Sequence, residues 1–204
     1  MSYYPVLIDW QGLPCLVAGG GKIALHKAEL LCSAGADVTV VAIEPCEEIC
    51  GLPVRLERRA VVPADVEGMR LVVDATGSAE AQLMLSAACR DSGIPFNSAC
   101  RVDDGTAMFP AVSRKGRTVV AVSTLGASPA ASTLIRDELA EQIPDEMDEI
   151  LDAMAALRPL SRQWSDVQSD RRIFLRRCLL EMLKNKRTLT PEETEVIRHE
   201  TLIK

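Results

Sequence analysis

Leu13-Pro14-Cys15-Leu16-Val17-Ala18-Gly19-Gly20-Gly21-Lys22-Ile23-Ala24 is the stretch from which the rest of the chain can be read. Its first six residues form an apolar run that ends in glycines, the mark of a buried parallel strand. Residues 22–35 then place Ile23, Leu25, Ala28, Leu30, Leu31 and Ala34 at helical spacing around Lys27 and Glu29, and Gly35 stops the helix. Val38–Ala42 reads as a second strand. Strand, glycine turn, helix and strand within about thirty residues make a βαβ unit. Inside it, Gly19-Gly20-Gly21-Lys22-Ile23-Ala24 is a G-x-G-x-x-A dinucleotide fingerprint. Gly19 allows the tight turn out of the strand, Gly21 leaves room for a pyrophosphate, and Ala24 lets the helix pack close to the sheet. The helix N-terminus, at Lys22 and Ile23, aims free N–H groups and a positive dipole end at the phosphates.

The alternation continues outward. Residues 54–58 and 71–75 read as strands, 79–92 as a helix capped by Gly93, and 95–99 as another strand. This predicts an α/β fold built on an open parallel sheet of Rossmann type. Near residue 107 the pattern changes. Met108–Val112 and Thr118–Ser123 read as two strands joined by a hairpin turn at Arg114–Arg117. Ser128 and Pro129 then open a helix as N-cap and first residue, and Pro144 ends it. From 145 to 204 only helical periods remain, with breaks expected near Pro159 and at Thr190-Pro191. The division expected is a Rossmann domain over 1–112, a small hairpin-and-helix module over 113–143, and a helical C-terminal domain over 144–204.

Composition narrows the function classes. The chain has 204 residues, 48% of them hydrophobic but only 3% aromatic, so its core is aliphatic. A net charge of −6 gives no global field for nucleic acid. No apolar run is long enough for a membrane span, and Met1–Pro5 lacks the features of a signal peptide. The chain is therefore expected in the cytoplasm, away from membrane and nucleic acid. Seven cysteines, an odd number, argue against a disulfide framework. Cys46 and Cys50 form the one close pair, and with no second pair or histidine cluster no metal site is expected.

The acid that usually holds the cofactor ribose at the end of the second strand is missing. Ala42 occupies that position and is followed by Ile43 and Glu44. Glu44 either serves the ribose or is a solvated loop charge. No arginine cluster stands near Ala42 in sequence, which favours NAD over NADP. Thr76 and Gly77, at the end of the strand 71–75, fall where the crevice of such a sheet lies.

Tyr4-Pro5, Gly19-Gly20-Gly21, Lys27, Ala75-Thr76, Asn97, Phe109-Pro110 and Ser123-Thr124-Leu125-Gly126-Ala127-Ser128-Pro129 occur in this order. Together they resemble the precorrin-2 dehydrogenases, including the bifunctional dehydrogenase/ferrochelatases of sirohaem synthesis. The resemblance covers residues 3–143 and extends more weakly to Arg171-Arg172. It implies a Rossmann domain, a dimerisation module and a helical tail in a homodimer. The implied reaction passes a hydride from precorrin-2, a tetrapyrrole rich in carboxylates, to NAD and yields sirohydrochlorin, with Fe(II) insertion as a second, weaker activity. Asn97, Ser123, Thr124 and Ser128 fall at the family's substrate cleft.

One departure stands out. Where the family has Asn-x-x-Asp, with the Asp assigned to proton handling, this chain reads Asn97-Ser98-Ala99-Cys100. A thiol ionises near pH 8.5, against about 3.9 for Asp, so Cys100 is mostly protonated at neutral pH, and unavailable as a base, unless a cation lowers its pKa. Asp103 and Asp104 are the other candidates for the catalytic proton acceptor. The substitution also admits a second reading, a tetrapyrrole- or NAD-binding carrier or regulator that keeps the fold without the chemistry. Arg114, Lys115 and Arg117 read either as a solvated turn or as anchors for substrate carboxylates. The basic run over 162–187 reads as a solvated helix face or as a further contact for such carboxylates.

Overall fold

The computed structural model describes residues 3–99 and 104–202. They fall into two compact units, Met1–Phe109 and Pro110–Lys204. In the first, strands β1 (Pro14–Ala18), β2 (Asp37–Val41), β3 (Arg55–Glu57), β4 (Leu71–Asp74) and β5 (Phe96–Ser98) alternate with helices α1 (Lys22–Ser33), α2 (Glu47–Cys50) and α3 (Ala79–Ser92). The strands form one parallel sheet in the order β3-β2-β1-β4-β5. This is the Rossmann order, and the chain reverses direction across the sheet between β1 and β4.

The continuous apolar strands are explained by two buried faces. Successive side chains of a strand point to opposite sides. Cys15 and Val17 of β1 therefore join Val38, Val40 and Val73 beneath Ala24, Ala28 and Leu31 of α1. Leu16 and Ala18 instead join Val72 and Phe96 beneath Leu85 and Cys89 of α3. Each fully buried Val or Leu contributes about 1.5–3 kcal/mol, so this two-faced core fixes the strand register. Helix α1 closes on a Schellman turn: Gly35, at φ 83°, donates to Cys32 O and Ala36 donates to Leu31 O.

In the second unit, β6 (Ala111–Lys115) and β7 (Thr118–Val122) pair as an antiparallel hairpin against α4 (Pro129–Glu141). The hairpin is displaced from its expected position. Met108–Pro110 lies outside the strand, and Arg114 and Lys115 are strand residues. The turn is Gly116-Arg117 alone, with φ 55° at Gly116, its first residue. Glycine there suits a two-residue hairpin turn, and this local chemistry outweighs the polar look of Arg114–Arg117.

Helices α5 (Met147–Trp164), α6 (Gln168–Asn185) and α7 (Pro191–Leu202) complete the chain. The break expected near Pro159 does not occur, because that proline lies inside α5. Its missing N–H forfeits one helical bond, but packing on both sides carries the helix through. Leu157 lies in the core before it and Trp164 packs against that core after it, with the Trp164 ring edge-on to Phe174 at 5.4 Å. The break at Thr190-Pro191 does occur and starts α7. No helix among the described residues is long and apolar enough to cross a membrane.

Candidate cofactor site

The three glycines after β1 meet three different demands. Gly19, at φ 122°, donates to Val41 O, and a Cβ there would stand 2.3 Å from the carbonyl oxygen of Ala75. Only a glycine lets the end of β1 pass so close to the end of β4. A Cβ on Gly20 would stand 2.4 Å from Glu44 O, and the Gly20 carbonyl accepts from Cys46 N–H at 2.8 Å. The loop after β2 is thus seated on the turn. Gly21 differs, since a Cβ there would meet nothing within 4 Å. It is the N-cap residue of α1 and no side chain caps that helix. The first-turn N–H groups at Lys22 and Ile23 therefore face open space at the strand reversal point. These features fit a dinucleotide pyrophosphate.

The opposite wall is the end of β4. Asp74 is buried, and its Oδ1 accepts from Thr76 N–H at 3.0 Å and from the Thr76 hydroxyl at 2.7 Å. Thr76 Oγ1 in turn accepts from Ser78 N–H. The carboxylate thus shapes the turn through Thr76 and Gly77, a role that a strand ending in Leu-Val-Val-Asp gives little sign of in sequence. Ser78 caps α3 by accepting from Ala81 N–H.

Ala42 sits buried just beyond β2, and its N–H donates to Glu57 O. It can present only backbone to a cofactor. Strand β3 brings Arg58 and Arg59 beside this edge, which spacing along the chain does not reveal. Arg59 is held by Glu57 and Asp65, and its guanidinium draws the Asp65 carboxyl below the usual range. Arg58 donates to Cys50 Sγ at 3.2 Å. Among the other thiols, burial pushes Cys15, Cys89 and Cys178 up to about 11, so they are inert core residues.

Beyond β5 the segment ending at Phe109 is strapped to the sheet. Thr106 and Ala107 both donate to Phe96 O, and Asn97 Nδ2 donates to Ala107 O at 3.0 Å. Asn97 Oδ1 is buried without a hydrogen-bond partner among the described residues. Phe109 carries the Lys27 ammonium 4.3 Å above its ring, and burial lowers the Lys27 pKa. Asp104 is exposed and accepts from Gln82 Nε2 at 2.5 Å. Cys100 and Asp103 lie outside the described residues.

In the second unit the hydroxyls of Ser123, Thr124 and Ser128 gather at the start of α4 with Ser132. Thr124 Oγ1 bonds Ser128 O and lies 3.0 Å from Ser132 Oγ, Ser128 Oγ accepts from Ala131 N–H, and Ser123 Oγ accepts from Leu125 N–H. These bonds build the helix cap and hold Leu125 at φ 53°. Lys115 is held by Asp145 and the carbonyl of Ile143, and Arg117 by Asp148 and Asp152. Lys115 is thus committed to the α4–α5 connection and Arg117 to α5.

Sheet order, glycine turn and uncapped helix together define a dinucleotide-binding domain. Residues 6–111 match the family described as Putative NAD(P)-binding, and the chain belongs to that family. The chain is 35% identical over 183 residues to a siroheme synthase of Methylococcus capsulatus, a match that covers 88% of this chain and 39% of that protein. It is 34% identical over 187 residues to the siroheme synthase of Nitrosomonas europaea, with the same coverage. The chain thus spans about two fifths of the length of these curated relatives. The solved structure of SirC, precorrin-2 dehydrogenase, shares the fold with a TM-score of 0.67 at 24% identity, covering 98% of both chains.

Proposed function

We propose that this protein is an NAD-dependent precorrin-2 dehydrogenase that forms sirohydrochlorin. The observation that carries the proposal is the cradle at the β1–β4 reversal, where Gly21 opens onto free space beneath uncapped helical N–H groups. The similarity to siroheme synthases over 88% of the chain supports the tetrapyrrole substrate. When bound, NAD supplies the hydride acceptor. The chain's own groups do the rest. Gly21, Lys22 and Ile23 hold the pyrophosphate, while Thr76 and Gly77 line the approach from β4. Asn97, Ser123, Thr124 and Ser128 are the residues assigned to the substrate.

Dehydrogenation also releases a proton, and Cys100, Asp103 or Asp104 accepts it. Loss of a general base typically costs a factor of about 10²–10⁴, so replacement of the family's Asp by Cys100 slows the reaction without abolishing it. Fe(II) insertion, a second use of the same acid–base group, is weaker still. The cofactor is NAD rather than NADP, because Arg59, beside the end of β2, is already neutralised by Glu57 and Asp65. The enzyme acts in the cytoplasm as a homodimer. Leu134, Ile135 and Leu139, exposed along α4, supply an apolar surface for the second copy.

The test is anaerobic NADH formation on mixing the protein with NAD and precorrin-2. Wild type is expected to turn over and Cys100→Asp to exceed it at least about tenfold, with NAD binding at least about tenfold tighter than NADP. Absence of NADH from both forms would overturn the proposal. Activity in Cys100→Asp alone would favour the carrier reading of the natural protein.

A further inference from the structure

The basic run of the C-terminal helices divides in two once its partners are known. Arg177 pairs with Glu200 and Arg187 with Glu193, both carboxylates of α7. Arg158 and Arg162 of α5 and Arg171 and Arg172 of α6 have no carboxylate partner among the described residues. All four line one concavity of about 680 Å³ together with Gln168 and Ser169, and no acidic side chain shares its wall. That volume lies in the range of small-molecule sites.

The arrangement is unusual for this chain, which carries 29 acidic residues against 23 basic ones. Asp170, in the first turn of α6, accepts from the Ser169 hydroxyl at 3.3 Å and offsets at most one of these four charges. The remaining excess of guanidiniums is relieved when an anion enters. Part of the site is preset. Arg171 Nη1 donates to Ser165 O at 2.9 Å, which holds its fork in place. Ser161, almost fully buried at the floor, donates to Arg158 O at 2.8 Å. The start of α6, at Gln168 and Ser169, has no side-chain cap, which adds backbone N–H groups of the same polarity.

We infer that this concavity between α5 and α6 is a binding site for a multiply charged oxyanion, either a small molecule with clustered carboxylates or one with linked phosphates. A guanidinium takes both groups with two parallel hydrogen bonds. Four of them select a ligand with several such groups close together over a single anion. The site lies wholly within the second unit and its assignment does not depend on the dehydrogenase reading. Should that reading hold, the tetrapyrrole acids are natural candidates for the occupant.

The test is calorimetric titration of the full chain, with and without NAD, using mellitate (a benzene hexacarboxylate) and tripolyphosphate as probes. Wild type is expected to bind at least one of them saturably at one site per chain, and the preferred probe identifies the oxyanion. The double variant Arg162→Gln/Arg172→Gln should weaken binding by a factor of about ten or more. Arg176→Gln, on the same helix but outside the concavity, should not. If the double variant melts well below wild type, Arg162→Lys replaces it, and this change keeps the charge but loses the fork. Its expected result is a partial loss of affinity. No saturable binding of either probe, or equal losses in Arg176→Gln and the concavity variants, would overturn the inference.

Discussion

Two glycines of the same turn, Gly19 and Gly21, are expected to fail in opposite ways. Gly19→Ala places a Cβ against the Ala75 carbonyl at a backbone angle that L residues avoid, so it should destabilise the fold by about 2–4 kcal/mol. Gly21→Ala meets nothing within 4 Å. It should leave the melting temperature nearly unchanged while NAD affinity falls at least about tenfold. Thermal melts and NAD titrations of the two variants, side by side, check this. A stable Gly19→Ala or a tight-binding Gly21→Ala would contradict the roles assigned. The sequence pattern expected open space at Gly21 but not the demand on Gly20, which comes from the Glu44–Pro45 loop folding back on it. Asp74 and the Lys27–Phe109 contact were equally hidden, because each depends on a partner brought close only by the sheet or by the strap to Phe109.

Elements of the first unit were the most legible, since β1, β2, β4 and β5 are buried on both faces and the long helices α1 and α3 end at glycines with positive φ, Gly35 and Gly93. The hairpin was misplaced because three cations in four residues look like a loop, whereas Lys115 and Arg117 are neutralised by acids of the α4–α5 region far along the chain. Pro159 misled for a related reason, as packing onto the α5–α7 core outweighs one lost hydrogen bond. The start of α7 was legible. Thr190 and Glu193 form a reciprocal capping box, in which Glu193 accepts from Thr190 N–H and Thr190 Oγ1 accepts from Glu193 N–H.

The Arg187 guanidinium, aided by the Thr190 N–H, pushes the Glu193 carboxyl down to about 2. A depressed carboxyl stabilises its surroundings above its unfolded pKa, about 4.3, and loses that contribution as pH falls toward the folded value. The first turn of α7 should therefore stay protected down to about pH 4.3 and fray progressively between there and pH 2. In Glu193→Gln this acid-dependent fraying should shrink to the part that Glu192, also held below its usual range by hydrogen bonds at the same turn, contributes, with lower protection at neutral pH. Amide hydrogen exchange of residues 192–196 measures both, and a pH-independent wild type would contradict the assignment.

At the scale of the whole molecule, each unit carries its own core, and the residues assigned to the dinucleotide all precede Pro110. The exposed apolar side of α4 is the surface proposed for self-association. Leu134→Glu/Leu139→Glu should shift sedimentation from dimer to monomer while NAD binding persists, and an unchanged dimer would place the interface elsewhere. Sequence reached the class of the site and its class of ligand because a dinucleotide turn is local and periodic. It could not show which cations are free, because pairing is settled in three dimensions. Hydride transfer from the tetrapyrrole to the nicotinamide of an NAD held by its pyrophosphate at the glycine cradle is the centre of the proposed function. The most direct test is a single anaerobic turnover with precorrin-2 deuterated at the carbon that gives up the hydride. Deuterium recovered in NADH, with sirohydrochlorin formed in equal amount, is the predicted result. Sirohydrochlorin without labelled NADH, or neither product with NAD and precorrin-2 both bound, would contradict it.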